Sequence, residues 1–464
     1  MTRTSSRRLC GIGRVLVAAL CVSGAADAAN AEEGGLTLAG AVQRALDEGY
    51  RAQIARLETG QAGDRLDGAR GQYLPRLSVT SNAGYSNRIN EKIEALDGNS
   101  QLRVYPRSRL GSTADGWFNF FVDQLIFDLE KWKLIERDEL AAEVADLTEA
   151  HEREQIAFEV TQRYADLVRI AQLRDAAAAD LESAGQLDRQ AGLVLEAGRA
   201  LASDRERAAL HLSEVEIELL SVSDQLEDAR ALLQVLIGPG ERSDQPLRVL
   251  PHSLPEPTPP SPEAAEELVV NAPDLRVLDL RRRMEEATVA AERARRMPTL
   301  AMRGGYVNYG IKRFDDYQDE LFIGVDINIP IFDGFQTRSA VAGALKAAEV
   351  ARLRYRSELD KKRVRIRELE RLLASSSRRV ALAERRADSA REQRRLADLN
   401  LKAERGGVAE AVFAHERSAF DTRNAIESRY DRLEAWATLQ LEMGQLAATL
   451  THDRDASRPA SAEP

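Results

Sequence analysis

Beyond residue 21 the chain contains no cysteine; Cys10 and Cys21 both lie near the N-terminus. The rest therefore has no disulfide, no thiolate metal site and no cysteine nucleophile. Aromatic residues make up only 5%, too few for a thick globular core in a chain of 464 residues. Five methionines, the initiator among them, offer no soft-metal route. The five histidines, His151, His211, His252, His415 and His452, are nowhere paired at metal-ligand spacing along the chain. There is no G-x-S-x-G, P-loop or dinucleotide fingerprint, so the residues support no enzyme class and imply no cofactor. No apolar run approaches 18 residues, so no transmembrane helix is expected. Positive charge is in deficit, with 65 Lys and Arg against 75 Asp and Glu. A net charge of −10 excludes non-specific nucleic-acid binding, which needs clustered cations to neutralise phosphates.

What is present begins with an export signal. Arg3, Arg7 and Arg8 precede a short apolar core, Val15 to Val22, and then Ala26-Asp27-Ala28 and Ala29-Asn30-Ala31 as cleavage candidates. Residues 1–31 are expected to be removed. Leu20 before Cys21 is not the small residue that lipidation requires. A chain exported without a membrane helix can still enter a membrane as a β-barrel.

The remainder reads as two similar halves, 36–238 and 263–450, with a Pro-rich linker over 239–262 and a disordered tail over 451–464. Eight of the fifteen prolines fall in that linker, which forbids helix and favours an extended spacer. Each half opens with a helical stretch, Leu38 to Gln72 and Glu263 to Met297. Each stretch stops at a proline, in Leu74-Pro75-Arg76-Leu77 and Met297-Pro298-Thr299-Leu300. Two strand-like runs follow, then a long helix, a glycine break and a shorter returning helix.

The four alternating runs are Leu77–Tyr85, Trp117–Phe127, Leu300–Tyr309 and Leu321–Phe332. In the last, Ile323, Val325, Ile327 and Ile329 alternate with Gly324, Asp326 and Asn328, one apolar face against one polar. Phe118, Phe120 and Val122 do the same in the second run, though less regularly. Eight of the eleven phenylalanines lie within 118–127 and 314–335, which fits interfacial girdles. These two sets predict a lipid-facing surface. Ser86–Gly116 and Gly310–Glu320 are expected to be connecting loops. Four strands cannot close a barrel, and lipid tolerates no open edge, so strands in a membrane must be shared among several chains.

The long helices, Leu129 to about Glu196 and Thr337 to about Glu404, each span roughly 100 Å at 1.5 Å per residue. The returning helices, Leu201–Ile237 and Ala409–Leu446, are about half as long. The apolar stripe is broken and Ala-rich rather than a sustained heptad.

These features together resemble the TolC family of outer-membrane efflux proteins over essentially the whole mature chain. The resemblance is carried by Leu36-Thr37-Leu38 with Ala41, Ala45 and Leu46, and by the paired helix-to-strand prolines. It is carried also by Pro330-Ile331-Phe332-Asp333-Gly334 echoed in Ile126-Phe127-Asp128, and by Glu196-Ala197-Gly198-Arg199-Ala200 followed by Asp204 and Ala208. It implies an α+β membrane protein acting as a homotrimer. Each chain would give four strands to a shared twelve-stranded outer-membrane barrel, continued by a long periplasmic α-helical barrel. The implied partners are a periplasmic adaptor protein, an inner-membrane pump and outer-membrane lipid. The implied docking tips are Ala197, Gly198, Arg199, Gly406 and Gly407. The family's acidic constriction maps to Asp204 in the first half; in the second the same offset gives Val412, leaving Glu410, His415 and Glu416 as gate candidates. Asp204 reads equally well as a helix N-cap. Two other classes stay open: a periplasmic coiled-coil scaffold without a pore, and a peripheral adaptor.

Overall fold

The structure is a computed structural model. It describes residues 36–89, 94–96, 102–104, 109–238, 262–310, 317–403 and 405–456. The expected signal segment and, apart from Pro262, the Pro-rich linker lie outside these residues. The first half holds α1 (Leu38–Glu48), α2 (Tyr50–Arg70), β1 (Arg76–Ile89), a short pair β2 (Glu94–Leu96) and β3 (Leu102–Val104), β4 (Arg109–Phe127), α3 (Leu129–Glu196) and α4 (Ala202–Ile237). The second holds α5 (Pro262–Asn271), α6 (Pro273–Ala294), β5 (Thr299–Gly310), β6 (Tyr317–Asn328), α7 (Gln336–Lys402) and α8 (Val408–Met443), and α9 (Leu446–Ala456) closes the described chain.

Several boundaries differ from expectation for local reasons. Each opening helix is split: Gly49 ends α1, and Pro273, at the start of α6, cannot donate to the turn before it. The first strand pair runs past the alternating residues, so Ser86–Gly116 is mostly ladder and hairpin rather than loop. Strand β6 stops at Asn328, short of the expected Phe332, because Pro330 has no N–H for a ladder. Helix α9 reaches Ala456, so 451–456 are helical rather than tail.

The described residues divide into two compact units, each drawing on both halves: those within 1–53, 153–262 and 365–464 form one, those within 54–152 and 263–364 the other. In the first, α1 is capped by Thr37, whose side chain accepts from the Gly40 N–H at 3.1 Å. Its buried residues Leu38, Ala41, Val42, Ala45 and Leu46 form one helical stripe that packs on α4 and α9. Burying Leu38 and Leu46 stabilises the fold by about 2 kcal/mol each. Tyr164 is fully buried, and its hydroxyl donates to the Leu36 carbonyl at 2.7 Å. Gly238, at φ 88°, lets α4 end against α1; a Cβ there would meet the Glu48 carbonyl oxygen at 2.8 Å.

The second unit contains a four-stranded antiparallel sheet in the order β1-β4-β5-β6, besides the short β2-β3 pair. The duplicated Phe-Asp is a helix start. Asp128 accepts from the Lys131 N–H at 3.1 Å to open α3, and Asp333 from the Thr337 N–H at 2.8 Å to open α7.

Candidate functional site

Register decides what the sheet presents. Residues directly opposite in an antiparallel ladder share a face. Leu77 and Val79 of β1 lie opposite Val122 and Phe120 of β4. Those two, with Phe118, lie opposite Gly304, Tyr306 and Asn308 of β5, which pair with Ile323, Leu321 and Asp319 of β6. Met302 and Leu300 bring Val325 and Ile327 onto the same face. Phe118, Phe120, Val122, Ile323, Val325 and Ile327 thus share one surface. Ile323 is 77% exposed and Val325 60%. Ile329 follows the last ladder residue and is likewise exposed. The apolar stretch is bounded by a hydrogen bond from the Asn308 amide to Asp319 at 2.7 Å.

The opposite face is mixed: the Arg303 Nε–H donates to Asp123 at 2.5 Å, and Phe121, Phe322 and Val307 lie on the same side. Gly305 lies between Phe121 and Phe322, whose rings meet edge to face at 6.3 Å. A Cβ at Gly305 would come within 2.8 Å of both the Phe120 carbonyl oxygen and the Phe121 ring.

The helix turns lie in the other unit. Gly198 adopts φ 69°, and Ala197, Gly198 and Arg199 donate to the carbonyls of Leu193, Leu195 and Val194 to close α3. In the second turn the Asn400 carbonyl accepts from Arg405 and Gly406 at 2.8 and 3.2 Å, and Gly407 is the N-cap of α8. Leu187, Ala191, Ala208, Leu401, Val408, Ala411 and Val412 form one buried cluster behind the turns, drawn from α3, α4, α7 and α8.

The four gate candidates do not form one group. Asp204 caps α4, its carboxylate accepting from the Leu201 N–H at 3.3 Å. Glu410 stands in the first turn of α8, exposed. Counted from their N-caps Leu201 and Gly407, Asp204 and Glu410 are both the third helical residue, a correspondence hidden when the halves are aligned on Gly198 and Gly406. His415 is only 5% exposed, with Nε2 at 2.8 Å from Asp398, so it faces helix packing and not solvent. Glu416, next along α8, is exposed.

Residues 264–445 match the family model described as outer membrane efflux protein. Over this segment the chain is similar to outer membrane efflux proteins. No curated protein matches the chain. Among solved structures, the channel protein CusC shares 14% identity over 88% of this chain and 92% of its own, with a TM-score of 0.74. The outer membrane protein VceC of Vibrio cholerae shares 16% over 88% and 96%, at 0.71. The CmeC outer membrane channel of Campylobacter jejuni shares 14% over 91% and 90%, at 0.72. At these identities the likeness is one of fold. The matched efflux-protein domain contains Ile323, Val325, Ile327, Ile329, Gly406, Gly407, Glu410, His415 and Glu416.

One grouping in the chain escapes sequence reading. His211 of α4 and His415 of α8 meet edge to face, with centroids 6.1 Å apart. Burial and the neighbouring His415 hold the His211 imidazole below its usual range. Asp180 of α3 carries a carboxyl raised by burial, an effect opposed by Arg394 of α7 at 3.1 Å and by both histidines. Nothing local marks this pair, because its members are 204 positions apart.

Proposed function

We propose that three copies of the chain close their four-stranded sheets into one twelve-stranded barrel in the outer membrane of a Gram-negative bacterium. The helices form a periplasmic conduit, an exit duct for a tripartite efflux pump or a type I secretion system. The observation that carries this reading is the sheet. One apolar face spans all four strands and is exposed, and among the described residues the outer strands β1 and β6 each have a neighbour on one side only. A lone sheet of this kind leaves unsatisfied backbone edges in lipid, whereas a closed multichain barrel leaves none. The domain match and the shared fold of CusC, VceC and CmeC support the same reading.

On this reading the work is physical, not covalent. The chain supplies a water-filled path. The turns at Ala197–Arg199 and Gly406–Gly407 dock a periplasmic adaptor protein and an inner-membrane pump, and they move when the path opens. Asp204 and Glu410, at matched positions just inside these turns, are the acidic groups best placed to act there; Glu416 lies further along α8 and His415 is packed inside.

The deciding experiment is the mass of the native particle from the outer-membrane fraction, with and without detergent. A detergent-dependent trimer of the mature chain is expected. A monomer or dimer that stays soluble without detergent overturns the barrel and leaves a periplasmic coiled-coil scaffold as the better account.

A further inference from the structure

We propose that His211, Glu214 and Glu416 form a binding site for one divalent transition-metal cation of the zinc type, bridging α4 and α8. A ligand atom of each residue lies within 4.8 Å of the other two. An ion with bonds of about 2 Å needs its ligands roughly 3–4 Å apart, a closure that glutamate rotamers supply. His211 and Glu214 are three residues apart on α4, hence on one helix face, and Glu416 arrives from α8.

A second observation points to a ligand. His211 is more than nine-tenths buried, at 6% exposure, and among the described residues its ring nitrogens have no hydrogen-bond partner in the protein and are not sealed from solvent. A held ring whose nitrogens meet solvent and no protein group is open to a ligand. Its ring is braced by the edge contact with His415, itself held by Asp398 at 2.8 Å. Such a supporting shell fixes the orientation of a ligand.

Charge favours a cation. Two carboxylates and one neutral imidazole balance a divalent ion. An ion would take the imidazole through a ring-nitrogen lone pair. The nearby Asp180 is already paired with Arg394, and no arginine or lysine ion pair engages Glu214 or Glu416 among the described residues. Both glutamates are exposed, so water completes the coordination. A mixed imidazole and carboxylate set prefers Zn2+ or a neighbouring transition ion to Mg2+ or Ca2+. The ion would link the two returning helices behind the turns. Binding itself is independent of the export reading; only its bearing on opening rests on it.

The test uses the detergent-solubilised full chain, freed of any polyhistidine tag and stripped with chelator. Zn2+ titration by calorimetry, and melting with and without Zn2+, should show one ion per chain and a higher melting temperature. His211→Ala and Glu416→Gln should each weaken binding at least tenfold, while Glu410→Gln, on the same helix outside the site, should leave it unchanged. Because Glu416 is exposed, its variant tests the site even if His211→Ala misfolds. Zn2+ binding no tighter than Mg2+, or equal binding by the wild type and Glu416→Gln, overturns the proposal. Since binding is read without transport, a failed site and a failed duct give different results.

Discussion

At Gly198 the backbone lies at φ 69°, and a Cβ would meet nothing within 4 Å. The cost of Gly198→Ala is therefore conformational rather than steric, about 1 kcal/mol for a side chain in the left-handed region. Thermal unfolding should show a lower melting temperature, and unchanged melting would refute the turn geometry. At Glu154 the controlling effect is electrostatic. Its carboxyl is buried and raised above the usual range, although it accepts from the Ala447 N–H at 3.0 Å. The folded chain then holds this proton more tightly than the unfolded chain does. Its contribution to stability is present at low pH and is lost as pH rises from the ordinary glutamate range through the raised value. Glu154→Gln should accordingly gain on the wild type at pH 8 relative to pH 4. Parallel melting-temperature curves across that range would count against the burial argument.

Among elements, the sheet gives the sharpest comparison. Val325 lies on the exposed apolar face and Asp326 on the other. Val325→Arg should cost about 2–4 kcal/mol if it lies near the bilayer midplane. Extraction of folded protein from outer membranes should fall for Val325→Arg and hold for Asp326→Asn; equal behaviour of the two would remove the lipid-facing assignment. How much of these elements could be read beforehand depends on where the stabilising partner lies. The long helices were legible within about two residues because they lack proline and hold little glycine, which are local properties. The ends of β1 and β4 were not legible. Ser86, Asn87, Ser112 and Thr113 show no alternation, and they are in the ladder because each strand finds its partner opposite. Conversely, the Ile329 and Ile331 alternation continues after Pro330 has removed the donor that a strand requires. Pro273 could have been read as a break, but the apolar spacing on either side of it masked the interruption.

For the whole molecule, the duplication was visible along the chain, but the way the halves combine was not. Each compact unit takes segments from both. Residues 36–238 expressed alone should therefore fail to fold stably, even though they contain a full set of elements. Circular dichroism and limited proteolysis of that fragment check this; a cooperative melt and a protease-resistant product would contradict it. The histidine pair was illegible for the same reason, since it forms only when α4 and α8 pack together.

The free outer sides of β1 and β6 have a genetic consequence. In the proposed three-chain barrel every copy depends on the neighbours at both of these strands. An allele whose product still joins through β1 but carries a ruined β6 would be incorporated and would then spoil the particle it enters. With both alleles expressed equally and mixed at random, only about one particle in eight would be free of the defective copy. Such a lesion would behave as dominant, whereas a simple deletion of the gene would be recessive.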